Sequence, residues 1–532
     1  MNLTNVVASG LLLASLCGAL HAANKDFGEG LANSGPAQIL RNARHQHDHW
    51  NGVGRIRNES QTLCTASLLD TRDESGKSGP AYVVTSSHCL HRLNGAVQRD
   101  LSIKGSISFN YFDDTLEALK TYPLKTLRWG SSHGVDLAVI ELQATLASLI
   151  TAGITPLKLA EEIPADGVDI LALTAPEWDT LHLAACTQQT SRELVEQPFV
   201  WRVTMKNQCQ GVALGGFGGP LLDRASNRLF GILSTSTRGQ PAERKCQRDA
   251  PCEVNNGIPV WQTETNYGSP ITFLNQCFVG GVLQTDGEHC ELYPTTSITF
   301  KKPTPIQQYF LKKADGRGKD IVPRWNLPFS INTPFYRYKT TRRAIDCENP
   351  ALYSVPIKAA HAYVNDPIGP QTGMHMLCIV GVESAEQRVT SGMMKNALSL
   401  AVELAEPGSA RTPNLSISLD KQGLAAYTLV WHLAPPFMQR YTYKYGPAAT
   451  TDCLRPVDYL PIPPTPTPVK EDEDEDEEVI ALVHPLNDDP ATPPEKYAQL
   501  ISVQGMPYKI CTYAYDQADQ PSTLRVDVLK PR

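Results

Sequence analysis

The sequence predicts a mostly β protein built from several domains. From about Trp50 onward, short apolar runs are separated by Gly-, Asp- and Asn-containing turns, a pattern typical of β barrels and sandwiches. Pro (40 residues) and Gly (37 residues) are plentiful, which suits a turn-rich chain. Towards the C-terminus a tryptophan-to-cysteine pattern recurs with a period of 106 residues, the size of one small sandwich domain. At 532 residues the chain is too long for one ordinary core, so two to four domains are expected.

The composition narrows the classes of function. The chain is 41% hydrophobic and 19% charged, as in globular proteins. Its net charge of −7 predicts solubility and argues against nucleic acid as a partner. Beyond the N-terminal segment, no stretch is apolar for long enough to form a transmembrane helix. We therefore expect neither a nucleic-acid-binding protein nor an integral membrane protein, and no cofactor.

Residues 1–22 have the pattern of a secretory signal peptide. Val6 to Leu20 is an apolar run too short to span a bilayer comfortably, and Leu20-His21-Ala22 forms a small-residue cleavage site. Removing this segment also removes Cys17 and leaves an even number, 12, of the 13 cysteines. An even count favours disulfides in an oxidising compartment. The sequence thus predicts a secreted or periplasmic protein.

Residues 23–50 are predicted to form an extended N-terminal extension. Within it, His45, His47 and His49 alternate, and on a strand these positions would share one face, as metal ligands do. No cysteine or carboxylate cluster nearby completes such a site. We therefore interpret this segment as a polar loop and expect no bound metal.

Three strings in residues 51–290 contain residues of the types that catalytic sites use. Val-Val-Thr-Ser-Ser-His-Cys, at 83–89, ends a predicted strand with a histidine, and an imidazole held there suits a general base. Asp136 opens the next buried strand pattern. The third string, Gly-Gly-Phe-Gly-Gly-Pro at 215–220, has the glycines needed for a tight turn that brings backbone N–H groups close to a developing oxyanion.

Together, these strings resemble the catalytic region of trypsin/chymotrypsin-like serine proteases. The resemblance covers residues 50 to about 290 and implies a chymotrypsin-like double β-barrel for residues 51–290. It implies that His88 is the catalytic base and that Asp136 orients its tautomer, although Asp113 or Asp114 could compete for that role.

The resemblance also places the features around these residues. A Cys64–Cys89 disulfide would lie beside the histidine, and the backbone N–H groups of Gly215 and Phe217 would form an oxyanion hole. Leu229 to Ser234 resembles the strand that lines the substrate cleft.

The nucleophile of this family is missing. Phe217 occupies the position of the serine, and the sequence has no other serine between Ser191 and Ser226. Gly216 replaces the acidic residue that captures a freed N-terminus, and no Arg followed by Ile-Val-Gly-Gly lies upstream, so zymogen activation is not expected. The sequence predicts a protease fold without its chemistry.

Six more cysteines fall in the same region, and they permit 15 connectivities. Sequential pairing is favoured because each loop is short, which gives 186–209, 246–252 and 277–290. The residues concerned are Cys186, Cys209, Cys246, Cys252, Cys277 and Cys290. Cys209 is conceivable as a substitute nucleophile, but a structural disulfide is the favoured interpretation.

The remainder of the chain contains a connector and an internal repeat. Residues 291–324, rich in Pro, Lys and Arg, are interpreted as a solvated linker, with a protease-sensitive or surface-binding segment as the alternative. Trp325 and Trp431 each precede a Tyr-Xaa-Tyr-Lys string and lie 22 residues before a cysteine. Residues 325–430 and 431–532 are therefore predicted to be two tandem β-sandwich (Ig-like) modules. Their expected disulfides are Cys347–Cys378 and Cys453–Cys511.

The second module carries an insertion at 461–478. Its first part is polyproline-like, and Glu471 to Glu478 is an unbroken acidic run, which is expected to stay solvated. Calcium binding is conceivable, but contiguous carboxylates do not form a spaced set of ligands.

Three hypotheses for the function follow. The first is a secreted, catalytically inactive relative of trypsin-like proteases that binds a protein, peptide or surface ligand. The second is an active serine endopeptidase with an unusual nucleophile. The third is an adhesive protein that works through its C-terminal modules, in which case residues 325–532 alone would carry the full binding activity.

Overall fold

The computed structural model describes most of the chain. The described residues are 26–90, 97–132, 134–191, 193–285, 290, 292, 296–300, 309–395, 397–406, 412–419, 426–434, 437–464, 484–485, 496–503 and 505–531. The predicted signal peptide and the acidic run Glu471 to Glu478 lie outside these residues and stay predictions. Within the described residues, no helix is both long and apolar enough to cross a membrane.

The first half of the chain contains the strands β1 (Gln38–Ile39), β2 (Val53–Asn58), β3 (Leu63–Leu68), β4 (Pro80–Thr85), β5 (Gln98–Ser102), β6 (Gly105–Phe109), β7 (Lys120–Ser131), β8 (Leu137–Thr145), β9 (Asp169–Thr174), β10 (His182–Thr187), β11 (Gln189–Thr190), β12 (Glu193–Glu196), β13 (Phe199–Trp201), β14 (Met205–Asn207), β15 (Pro220–Asp223), β16 (Leu229–Ser236), β17 (Cys252–Asn255), β18 (Ile258–Val260), β19 (Asn266–Pro270), β20 (Phe278–Val279) and β21 (Val282–Leu283).

The second half contains β22 (Ile298–Thr299), β23 (Tyr309–Leu311), β24 (Lys313–Ala314), β25 (Asp320–Ile321), β26 (Leu327–Pro328), β27 (Ser330–Ile331), β28 (Phe335–Thr341), β29 (Ile357–Lys358), β30 (Tyr363–Val364), β31 (Gly373–Val382), β32 (Leu398–Ala405), β33 (Leu415–Leu419), β34 (Ala426–His432), β35 (Arg440–Pro447), β36 (Leu460–Ile462), β37 (His484–Pro485), β38 (Lys496–Ser502), β39 (Tyr508–Tyr515) and β40 (Arg525–Leu529).

Helices are short. The α-helices are α1 (Leu146–Thr151) and α2 (Ser391–Lys395), and 3₁₀ turns occupy Asp48–Trp50, Ser87–Cys89, Leu116–Ala118, Ala242–Arg244, Thr272–Cys277, Ala344–Glu348 and Ala359–His361.

Residues 53–145 form a closed barrel. The strand order is β5-β7-β6-β2-β3-β4-β8, and β7 also pairs with β8, so the strands from β7 to β8 close into a ring. Alternate side chains of these strands fill the interior, among them Ile56, Phe109 and Ile140, all nearly fully buried. The mostly β, chymotrypsin-like architecture expected from the sequence is therefore present, with a second barrel beside this one.

The second barrel is open on one side. Its sheet has the order β1-β10-β9-β15-β16-β19-β14-β11. Cys186 on β10 is bonded to Cys209, which follows β14, so a disulfide joins the second strand of the sheet to the segment after its last but one strand. A large apolar cluster that includes Trp129, Leu171 and Ile232 packs the two barrels against each other.

The N-terminal extension packs on the second barrel through β1, which pairs with β10. The alternating histidines do not lie on a strand, because Asp48–Trp50 forms a 3₁₀ turn. His45 Nδ1 contacts Asp48, and His47 Nδ1 contacts the carbonyl of Arg41. The segment is a structured polar turn whose side chains have local partners.

The two C-terminal modules have separate cores. In module 1 a five-stranded sheet, β23-β32-β31-β28-β29, lies with the two-stranded sheets β22-β27 and β26-β30 around Trp325 and Tyr336. In module 2 two four-stranded sheets, β33-β34-β38-β37 and β36-β35-β39-β40, enclose Trp431, Tyr441 and Tyr443. The C-terminal region is thus rich in β-sheet, as expected, and module 2 consists of two four-stranded sheets around one core.

The strand pairing moves the module boundaries away from those expected. β22 and β23 lie in the expected linker 291–324, yet they pair with β27 and β32 of module 1. Leu415 of β33, expected in module 1, lies in the core of module 2. We therefore propose that module 1 comprises residues 296–406 and module 2 residues 412–531.

All 12 cysteines after the predicted signal peptide are paired as expected. The six disulfides are Cys64–Cys89, Cys186–Cys209, Cys246–Cys252, Cys277–Cys290, Cys347–Cys378 and Cys453–Cys511. Because disulfides persist where the surroundings are oxidising, the folded chain suits an extracytoplasmic environment.

Module 1 packs directly on the second barrel through a two-faced hairpin. We call residues 193–202, which comprise β12, β13 and Arg202, the cleft hairpin. Alternation along its strands sends Val195 and Val200 towards module 1, where they join an apolar cluster with Met376 and Ala401. The opposite face of the hairpin packs against the barrel.

Candidate active site

The structure brings His88 and Asp136 together at the junction of the two barrels. His88 lies in the 3₁₀ turn after β4, and Asp136 directly precedes β8. His88 Nδ1 is 2.7 Å from Asp136 Oδ2, and the backbone N–H of His88 donates to Oδ1 (3.1 Å). Because a carboxylate accepts, Nδ1 is the donor, which leaves Nε2 as the basic nitrogen. This is the arrangement that orients a general base.

Asp136 is fully buried, whereas the His88 side chain is 17% exposed. The backbone N–H of Asp136 donates to Ser269 Oγ (3.1 Å), and Ser234 Oγ lies 3.1 Å from the same hydroxyl. These serines belong to β16 and β19 of the second barrel, so both barrels fix the aspartate. Neither serine was singled out by the sequence analysis.

The competing aspartates lie elsewhere. Asp113 pairs with Arg41, and Asp114 accepts the backbone N–H groups of Asn42 and Ala43. Both therefore fix the N-terminal extension rather than His88.

The glycine-rich loop keeps the backbone that the resemblance implies. Gly218 has φ +79°, and a Cβ there would lie 2.0 Å from Thr85 Oγ1, so no other residue fits. Its N–H donates to the carbonyl of Leu233 (2.7 Å). The carbonyls on either side of the loop are also fixed, because Thr65 donates its N–H to Phe217 O and its hydroxyl to Gly215 O (both 2.9 Å).

Phe217 lies beside the histidine. Its ring centroid is 5.6 Å from that of His88, and the two rings meet edge to face at 69°. The phenyl ring is half-buried and packs on the apolar cluster inside the second barrel. In place of a hydroxyl, the imidazole faces a hydrocarbon that can neither lose a proton nor attack a carbonyl.

The backbone donors expected for an oxyanion hole are Gly215 and Phe217. Among the hydrogen bonds of the described residues, neither N–H donates to a protein acceptor, whereas the intervening Gly216 N–H donates to Ala213 O (2.9 Å). The two groups could therefore still receive an anionic oxygen, which is the chemical requirement of such a site.

Two hydroxyls close to the histidine in the sequence, and the thiol considered as a substitute, are already engaged. Thr85 and Ser86 donate to the carbonyls of Thr65 and Leu233 (both 2.8 Å), and both side chains are fully buried. Cys209, considered as a substitute nucleophile, is bonded to Cys186, and this disulfide confirms the favoured interpretation.

No metal centre is evident in the described part of the chain. The only compact group of His, Cys, Asp or Glu side chains there consists of Cys64, His88 and Cys89. The two sulfur atoms are joined in a disulfide, so they supply no thiolate ligand.

The strand that would bind substrate is covered. Every residue of β16 is buried, including Ser234 and Thr235, which are both 4% exposed. Leu194, Phe199 and Trp201 of the cleft hairpin pack on Tyr267 of β19, the neighbour of Thr235 in the sheet. The cleft hairpin therefore packs against the sheet beside the C-terminal part of β16, next to Thr235.

Glu196 of the cleft hairpin is the most perturbed carboxyl near this site. Burial raises its pKa to about 7, an increase that the nearby Thr235 hydroxyl, the Asp249 N–H and His88 only partly offset. The Asp249 N–H donates to Oε1 at 3.1 Å. A carboxyl in this environment carries a proton at mildly acidic pH.

The cleft hairpin should consequently be more stable at low pH. The pKa of Glu196 rises from 4.5 to about 7 on folding, so the folded chain binds the proton more tightly and loses stability as the pH increases across that window. Glu196→Gln removes the titration. We expect the variant and the wild type to have similar free energies of unfolding at pH 4.5. At pH 8 the free energy of unfolding of the variant should be larger by about 3 kcal/mol. Urea unfolding at both pH values measures the difference. Glu161→Gln, at an exposed position, is the control, and a pH-independent difference would contradict the assignment.

Comparisons of the whole chain with known proteins give structural matches only. No protein-family model and no curated protein sequence matches the chain. The solved Rv3671c protease of M. tuberculosis, in its active form, aligns at 14% identity with a TM-score of 0.27, covering 46% of this chain and 88% of that one.

Two further structures align over similar shares. A thermostable serine protease from an extremophilic microorganism gives 14% identity and a TM-score of 0.28, over 42% of this chain and 92% of its own. Human heparin binding protein gives 14% identity and a TM-score of 0.30, covering 47% of this chain and 97% of its own. The first half has a trypsin/chymotrypsin-like fold by its own strand order, with His88 and Asp136 between the two barrels.

Proposed function

We propose that the chain is a secreted, catalytically silent relative of trypsin-like serine proteases that acts by binding a protein or peptide ligand. The observation that carries the proposal is Phe217, whose ring lies against His88 where an attacking oxygen would be required. Without a nucleophile no acyl-enzyme forms, and losing the nucleophile costs such an enzyme about a millionfold in turnover.

The covered cleft supports the same proposal. Substrates of this protease class bind as an added strand, and here the cleft hairpin lies against Thr235 and Tyr267. Module 1 presses on the outer face of the hairpin, so opening the cleft would also break contacts with module 1. A ligand is therefore expected to bind to surfaces outside the cleft.

A fluorophosphonate probe tests the proposal on the purified, disulfide-bonded chain. We expect no covalent labelling under conditions that label trypsin completely, because the probe requires an activated serine hydroxyl. Peptide mapping should find no modified residue. Labelling of any residue that His88→Ala abolishes would overturn catalytic silence and support the alternative, an endopeptidase with an unusual nucleophile.

A further inference from the structure

The two C-terminal modules share a lysine that is held in the same way. Lys339 Nζ donates to carbonyls 10 and 12 residues further along (2.6 and 3.0 Å). Lys444 Nζ donates to carbonyls 11 and 13 residues further along (2.7 and 3.1 Å). Each lysine lies opposite the second disulfide cysteine of its module, Cys378 or Cys511. The lysines and the disulfides therefore give a common register for comparing the modules.

This register relates a face of module 1 to a face of module 2. Cys378 pairs with Ser399 on β32, and Cys511 pairs with Val526 on β40, so Ser399 and Val526 are equivalent. Two positions on, Ala401 corresponds in the same way to Val528.

The remaining equivalences follow from the same alignment. Met376 corresponds to Lys509, because they lie two residues before Cys378 and Cys511 on β31 and β39. In the segments around the first cysteine of each disulfide, Glu348 corresponds to Leu454.

In module 1 this face is occupied by the cleft hairpin. Arg202 donates to Ser399 Oγ (2.9 Å), to the carbonyl of Ala397 (2.9 Å) and to Glu348 Oε1 (2.9 Å). Glu193 accepts the backbone N–H of Ala344 (2.9 Å).

The apolar part of the same face is fully covered. Met376 is 0% and Ala401 is 7% exposed, because Val195 and Val200 of the hairpin pack on them. Polar and apolar contacts thus alternate along the hairpin.

In module 2 the equivalent face is open. Val526, Val528 and Leu454 are 47%, 53% and 80% exposed. Together with Thr450 and Lys509 they form what we call the open face. A concave patch of about 470 Å³ lies on this face, and its lining includes Thr450, Asp452, Leu454, Lys509 and Val526. Exposed β-branched and leucine side chains beside a concavity are typical of protein-binding surfaces.

The substitutions between the two faces specify the occupant. Leu454 and Val526 replace Glu348 and Ser399, the two side chains that hold Arg202. An arginine seated there would lose the carboxylate and the hydroxyl that hold Arg202 in module 1, and losing such partners in a buried site is costly. The open face therefore excludes a segment like the cleft hairpin and favours one with an apolar residue in place of Arg202.

We propose that the open face of module 2 binds an extended, apolar β-hairpin segment of a partner protein, seated as the cleft hairpin is seated on module 1. The cleft hairpin of a second copy is a poor candidate, because it is already buried between its own barrel and its own module 1. The proposal deepens the binding role proposed above by naming the surface and the shape of the ligand. It does not depend on catalytic silence, which the labelling experiment tests separately.

Two cyclised peptides test the proposal on the full chain. One has the sequence of residues 193–202, and the other is the same peptide with Arg202→Leu. Module 1 is occupied by its own hairpin, so added peptide reports on module 2. We expect one Leu peptide to bind per chain. The Arg peptide should bind at least about tenfold more weakly, as measured by fluorescence anisotropy.

Variants of the protein locate the binding. Val526→Asp should weaken binding of the Leu peptide by about tenfold or more. Val355→Asp, at another exposed valine (76%), should leave that binding unchanged. The double change Leu454→Glu with Val526→Ser rebuilds the module 1 chemistry and should reverse the preference in favour of the Arg peptide. An unfolded module could not show that reversal.

Three results would overturn the proposal. The first is no binding of either peptide, and the second is unchanged binding by Val526→Asp. The third is a dimer of the full chain that Val526→Asp converts to a monomer, which would assign the open face to a second copy instead.

Discussion

Phe217→Ser is expected to give a chain that reacts with a fluorophosphonate at residue 217. The His88–Asp136 pair is intact at 2.7 Å, and the loop around Gly218 keeps the tight backbone that presents a nucleophile. The new hydroxyl would therefore have an oriented base beside it. Mass spectrometry of the labelled protein should find the adduct on that serine alone, with the wild type unlabelled.

Two matched variants separate catalysis from simple accessibility. Phe217→Ala should stay unlabelled, and Phe217→Ser combined with His88→Ala should lose about 10⁴-fold or more in labelling rate. Peptide amides should remain poor substrates, because Thr235 stays covered by the cleft hairpin while the small probe needs only the serine. A Phe217→Ser chain that does not react would show that the loop has moved away from a competent geometry.

Arg202→Ala is expected to destabilise the joint between the second barrel and module 1 by about 3 kcal/mol. The Arg202 side chain is 2% exposed and donates to Glu348, Ser399 and two backbone carbonyls of module 1. Removing it leaves these acceptors without their donor in a buried interface. Urea unfolding of the full chain measures the loss.

Arg228→Ala is the matched control. Arg228 is 43% exposed and pairs with Glu161, itself 83% exposed, so its removal should change the free energy of unfolding by less than about 0.5 kcal/mol. Equal effects of the two substitutions would contradict the interface described for Arg202. Limited proteolysis should also cut the cleft hairpin faster in Arg202→Ala than in the control.

Much of the candidate site could be predicted because its sequence motifs are local. Val-Val-Thr-Ser-Ser-His-Cys predicts, within seven residues, a strand end that positions a histidine beside a disulfide. In the structure β4 ends at Thr85, and His88 and the disulfide-bonded Cys89 lie in the turn that follows. The disulfide pairs of residues 186–290 followed from short loop lengths. The repeat of Trp325 and Trp431 predicted two similar modules, because core aromatic and cysteine positions are fixed by packing.

The missed features depend on contacts between distant segments. Ser269 meets Asp136 across 133 residues, and Arg202 reaches Ser399 across 197. A lone serine or arginine has no sequence signal for such a partner. The sequence around Glu196 gives no sign that this glutamate is buried in the folded chain.

The strands within the expected linker were missed for a related reason. The Pro- and Lys-rich composition of residues 291–324 predicted solvated chain, yet β22 and β23 complete sheets of module 1. Short edge strands need few apolar residues, because one pair of backbone hydrogen bonds and a single covered face are enough to fix them.

Arg202 gives the molecule a thermodynamic link between its halves. Its side chain is held by module 1, while its backbone N–H donates to the carbonyl of Gly134 (3.3 Å), two residues before Asp136. A ligand that favours a displaced module 1 would therefore loosen the segment that carries the aspartate. Because coupling free energies are reciprocal, whatever displaced the hairpin from the barrel would in turn release module 1. The segment that carries Asp136 would then be coupled to module 1 through the backbone of this one residue.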